Sequence, residues 1–170
     1  LLTNFDLHDK VVHPLHGAGV VTEICRKDIS GDMVDCIVIR LVAGRAGILL
    51  PFDCVEESGL RRVCTNEAMD EALTVLGNTA EDLPRDWRRR IEVLRERVHS
   101  GDPRMIASAV RDVLARSSIS KMNPSEKRVF TEAIGVLAGE LSLVNNIEFQ
   151  GARQMIETRV TGVRKKKKQA

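Results

Sequence analysis

An α+β chain, with a small β-barrel first and an all-α helical domain after it, is the fold class that three observations predict. Residues 1 to 56 are short Val- and Ile-rich runs broken at Gly17, Gly31 and Gly44, a pattern of strands and turns. From Thr65 the apolar residues recur every three to four positions, which is the helical period. At 170 residues, with 43% apolar and 29% charged side chains, the chain is long enough to bury one good core or two small ones.

The strands are expected at Lys10 to His13, Ala18 to Cys25, Met33 to Val42 and Arg45 to Phe52. Pro14 and Pro51 mark strand ends, because proline cannot donate to a ladder. Between them Cys36, Val38 and Arg40 alternate with Ile37, Ile39 and Leu41, and apolar side chains on both faces suit a small barrel with little open surface. A two-residue turn at Ser30 and Gly31 makes positions that sum to 61 face each other, which sets Cys25 opposite Cys36. In a reducing compartment that pair packs as two small apolar side chains.

The boundary between halves falls within Glu56 to Val63. Thr65 to Leu76 carries Met69, Leu73 and Leu76 on one face and stops at Gly77. Leu83 to His99 forms the next helix, ending near Gly101, with Asp86 as its N-cap. Asp102 and Pro103 open a third helix with Ile106, Val110, Val113 and Leu114 on one face. Asn123, Pro124, Ser125 and Glu126 repeat the device, with the glutamate three residues after the cap, ahead of the stripe Phe130, Ile134, Leu137 and Leu141. A weaker helix is expected from Ile147 to Arg159. The resulting division is a β domain over 1–60, a helical domain over 61–160 and a basic flexible tail over 161–170.

Trp87 is the only tryptophan in a chain without tyrosine, and Arg88, Arg89 and Arg90 follow it directly. It has two readings. Trp87, Ile91, Leu94 and Val98 stand at i, i+4, i+7 and i+11, so it is the first core residue of an amphipathic helix, with a solvated face that pairs Arg88 with Glu92. In the first turn after Asp86, however, a side chain is only half covered, and a bulky apolar plate beside guanidinium groups suits a wedge against a nucleic-acid base step.

Charge argues against a protein that grips DNA alone. The run 164–168 (RKKKK) supplies five positive charges, and the rest of the chain is net −3. Binding by counterion release would need a larger excess, so any DNA contact is local and depends on a partner. Catalysis is not expected: GxSxG, P-loop and GxGxxG motifs are missing, and His8, His13, His16 and His99 have no partnered Ser or Cys in a recognisable frame. Neither a metal site nor a cofactor is expected, because Cys25, Cys36, Cys54 and Cys64 form no CxxC and no His stands at zinc-site spacing. His13 and His16, which bracket Pro14, are read as turn packing. Nothing reads as a membrane span or secretory leader, and a cytoplasmic setting is expected.

The order of parts, FDLHDKVVHPLHGAGVVTEI, the strand end at Pro51, then DWRRR, SGDP, AVRDVLAR and SEKR, resembles the CarD/CdnL family of bacterial transcription regulators from Phe5 to about Val144. The opening D-x-V-V-x-P-x-x-G pattern recurs in transcription-repair coupling factors, whereas the tryptophan followed by arginines is more specific to the family. The resemblance implies a Tudor-like N-terminal domain that docks on the β subunit of RNA polymerase. It also implies a helical domain that touches promoter DNA at the upstream edge of the transcription bubble, with Trp87 as the wedge. Arg88, Arg89 and Arg90, with Lys127 and Arg128 of the matched EKR, are the implied DNA contacts; Lys27, Ile29, Arg45 and Leu49 are the implied polymerase contacts. Glu92 stands where members often have lysine, Lys27 where arginine is common, and Leu49 where some have a basic residue. Association with the nucleoid through polymerase, and a monomer when free, are the corresponding expectations.

Overall fold

The computed structural model describes residues 5–44 and 46–167, with side chains as far as Val160. Five strands, β1 (Lys10–His13), β2 (Gly17–Ile29), β3 (Asp32–Leu41), β4 (Gly47–Pro51) and β5 (Arg61–Arg62), precede five helices, α1 (Asn66–Val75), α2 (Trp87–Val98), α3 (Pro103–Ser117), α4 (Pro124–Asn145) and α5 (Phe149–Lys167). Thr65, Asp86, Asp102 and Asn123 cap the first four helices, each side chain accepting from a backbone N–H of the first turn. Asn123 and Glu126 complete the capping box expected from their spacing.

The hairpin turn lies where its residues require. Ser30 and Gly31 both take positive φ, at 58° and 96°, as a two-residue turn of the mirror-image kind demands, and Cys25 faces Cys36 across the ladder. Both thiols are free. β2 runs four residues further than expected, so it and β3 form a long ribbon.

The strands pair antiparallel in the order β4-β3-β2-β1-β5. The expected strands thus form one five-stranded sheet, and among the described residues no ladder joins β4 to β5 to close it into a barrel. β5 is only two residues long and spends its pairing on β1. A bulge between Val21 and Glu23 bends the sheet. Its concave side is filled by Phe5, Val11, Val21, Ile37, Ile39 and Leu60 instead of being closed by hydrogen bonds.

A second core is built from the buried stripes of all five helices, and Val12 and Ala18 of the sheet belong to it. The contact between halves is close because α4 carries glycine there: a Cβ on Gly139 would lie 3.0 Å from the Ala18 methyl and 3.3 Å from Val42. Polar groups lock the same seam. Glu140, 0% exposed, takes two hydrogen bonds from Arg61 at 2.6 and 2.8 Å and one from the Cys64 backbone N–H at 2.8 Å. Lys10 donates to the Leu143 carbonyl and to Asn146 Oδ1 at the end of α4. Burial, and then the neighbouring Glu140 carboxylate, push the Cys64 thiol up to about 12. At the chain's end α5 carries its backbone past 161 to Lys167, while 168–170 lie outside the described residues.

Candidate nucleic-acid interface

Asp86 fixes the start of α2 by accepting from the Arg89 N–H, and this sets Trp87 in the first helical turn. Trp87 remains 48% exposed while Ile91, Leu94 and Val98 are buried. The reading of Trp87 as the first core residue is therefore corrected: the buried stripe starts one turn later. The Arg88 guanidinium lies 5.4 Å from the centroid of the indole, over its face. The expected Arg88 and Glu92 pair is replaced by Arg89 and Glu92, 2.5 Å apart. The first turn holds no acidic side chain, so two exposed arginines stand at the positive end of the helix dipole, where cations are locally unfavourable.

Arg90 does something else. It is 3% exposed, and its Nε donates to Glu126 at 2.5 Å while one Nη donates to the carbonyls of Pro84 and Arg85. A phosphate cannot reach it, so Arg90 is removed from the expected DNA contacts; it ties α2 to the start of α4. Glu126, also buried, accepts in addition from Arg116 at 2.9 Å and from the Asn123 backbone N–H at 2.8 Å. Burial opposes its charge, but the hydrogen bonds from Asn123 and Arg90 and the charges of Arg90 and Arg116 prevail, and its carboxyl titrates below the ordinary value. The segment leading into α2 is held as well, since buried Asp112 accepts from the Glu81 N–H and from Arg97 and Arg111.

One carboxylate thus draws together the start of α2, the end of α3 and the start of α4. Lys127 and Arg128, both exposed, follow Glu126 directly, so they lie at the same end of the helical domain as Trp87, Arg88 and Arg89. Spacing along the chain gave no sign of this junction, which joins residues 36 and 10 positions apart.

At the other side of the molecule the ladder register sorts the expected protein-contact residues. Lys27 faces Val34, Ile29 faces Asp32 and Leu49 faces Val38, and the two-residue period puts all three on one side of the ribbon. That side is opposite the one from which Ile37, Ile39 and Leu50 enter the core. Lys27 and Leu49 are exposed, and Ile29, Val34 and Val38 are half-buried. Arg45 lies outside the described residues. Near the β1–β2 turn the His13 and His16 rings are 4.6 Å apart, and His13 Nδ1 accepts from the Leu15 N–H. Among the described residues, no three His, Cys, Asp or Glu side chains converge as a cation site, and no helix is long and apolar enough to cross a membrane.

Known proteins match both halves. The family model described as "CarD-like/TRCF RID domain" matches residues 5–64, and that described as "CarD, C-terminal domain" matches residues 71–157. The chain is also similar to a Bacillus subtilis (strain 168) protein named "Putative transcription factor YdeB", at 24% identity over 143 residues, which span 84% of this chain and 94% of that one.

Proposed function

The chain belongs to the CarD family, and on that premise we propose that it is a transcription regulator that binds RNA polymerase and stabilises the open promoter complex. The N-terminal domain docks on the β subunit through the ribbon side that bears Lys27, Ile29 and Leu49, with Arg45 beside them in the chain. The helical domain then meets promoter DNA at the upstream edge of the bubble. Trp87 enters the distorted step as a wedge, and Arg88, Arg89, Lys127 and Arg128 hold phosphates around it.

The observation that carries this reading is the half-exposed Trp87 in the first turn of α2, a helix that buried Arg90 ties to Glu126. An apolar plate that is uncovered in the free protein binds a kinked or melted step better than an intact one, because only the former offers an open base face. Differential affinity of that kind shifts the closed-to-open equilibrium without any chemistry by the protein. Since polymerase holds the factor in place, the DNA contact is effectively intramolecular, and a body without a large positive charge suffices.

The lifetime of an open complex of the cognate polymerase tests this, on a ribosomal promoter, with no factor, with the protein and with Trp87→Ala. The protein should lengthen the lifetime, and the alanine variant should lose most of that gain while keeping its fold. A loss of about 1.4 kcal/mol in the open state is about tenfold in lifetime. If polymerase binding persists but neither protein changes the lifetime, the chain is a docking module and the wedge is refuted.

A further inference from the structure

We propose that the loop between α3 and α4 is a second DNA-contact element, in which Ile119 packs against the same duplex as Trp87 and Lys121 meets its phosphate backbone. The inference rests on the reading of Trp87 as a DNA wedge and extends it to a segment outside α2.

Ile119 is 90% exposed, the most uncovered of the large apolar side chains among the described residues. It is also held out firmly. Its backbone N–H and that of Ser120 both donate to the Arg116 carbonyl, at 2.9 and 3.0 Å, which closes the end of α3 into a tight turn. On the other side Met122 packs on the helical core and Asn123 caps α4. The loop is therefore short and anchored at both ends, with the isoleucine at its tip.

Its position follows from the Glu126 junction. Arg90 lies one helical turn after Trp87, and Arg116 lies three residues before Ile119. The two guanidinium groups meet on one Glu126 oxygen, at 2.5 and 2.9 Å. Each apolar tip is thus about one turn from an arginine that pairs with the same buried carboxylate, which puts both at the end of the domain where that carboxylate lies.

The charge around them identifies the occupant. Arg85, Arg88, Lys121, Lys127 and Arg128 are exposed. Three of the acidic side chains interspersed with them are occupied: Asp86 caps α2, Glu92 pairs with Arg89, and Glu126 is buried between two arginines. A positive rim around two apolar tips, on a chain whose remainder outside 164–168 is net negative, complements a polyanion with apolar faces between its charges. Duplex DNA opened at a bubble edge has that composition, with phosphates at the rim and base and sugar faces within the groove.

Ile119→Ser and Lys121→Ala are the test variants, each in the intact chain with the cognate polymerase on the ribosomal promoter. Because both side chains are exposed, the fold should be unchanged. Each should shorten the open-complex lifetime roughly threefold relative to the parent protein, a partial loss of apolar burial or of one phosphate contact. A photoreactive side chain introduced at position 119 should cross-link to promoter DNA in the assembled complex. If Trp87→Ala removes the effect while Ile119→Ser and Lys121→Ala equal the parent and position 119 gives no DNA cross-link, the loop proposal is overturned and the wedge stands. If the parent protein itself does not lengthen the lifetime, the wedge falls and the loop contact falls with it.

Discussion

Two buried glutamates on one helix serve opposite purposes. Glu140, near the end of α4, is enclosed at the seam between sheet and helices, where Arg61 and a backbone N–H satisfy it. Glu126, in the first turn and about 21 Å away along the axis, is equally buried, but the groups at its end of the domain are exposed cations and a half-exposed indole. At the seam every choice favours a single rigid arrangement. At the other end the local choices are poor for helix stability, with arginines at the positive pole of α2 and an apolar ring in water, and the buried junction holds them in place. Surfaces of that kind are kept for contact with something else.

The comparison can be broken most forcefully by removing either carboxylate. Glu126→Ala strands Arg90 and leaves Arg116 without its partner, and Glu140→Ala strands Arg61 and the Cys64 N–H. Each should cost about 3–5 kcal/mol, the penalty for an uncompensated buried charge, read as a fall in denaturant midpoint. The consequences should differ: Glu126→Ala should also change Trp87 emission, whereas Glu140→Ala should leave it alone and loosen the sheet against the helices in hydrogen exchange. A smaller effect is expected from Gly139→Val, which forces a Cβ to within 3.0 Å of Ala18. Overpacking of this sort costs about 1–3 kcal/mol, and it should appear in thermal unfolding with no change in the indole signal.

The mildest perturbation is acid. The folded-state pKa of Glu126 lies below its ordinary value of 4.5, so its charge stabilises the protein fully above that value and the contribution is lost as pH falls through the depressed one. The stability advantage of the parent over Glu126→Gln should therefore be largest near neutral pH and narrow as the pH falls below 4.5. A gap that widens in acid would contradict the geometry of the junction.

Local rules made the hairpin register and three of the four caps, Asp86, Asp102 and Asn123, legible. Ser30-Gly31 was enough to put Cys25 opposite Cys36, and Asn123 with Glu126 announced the start of α4. The burial of Arg90 was also legible in principle. It stands three residues after Trp87 and four before Leu94, on the buried side of the helix, although a run of arginines by itself reads as surface. What the spacing could not show was long-range. The junction of Arg90, Arg116 and Glu126 and the clamp of Arg61 on Glu140 both depend on how helices pack after folding.

The uncovered indole over which Arg88 lies has a practical consequence. With one tryptophan and no tyrosine in the chain, excitation at the red edge of protein absorbance reports on a single side chain, and that side chain lies where DNA is proposed to bind. In the free protein this half-exposed indole should be quenched by iodide drawn to the surrounding cations. The molecule thus carries its own optical probe, requiring no label, and promoter engagement can be followed at the residue proposed to make the contact.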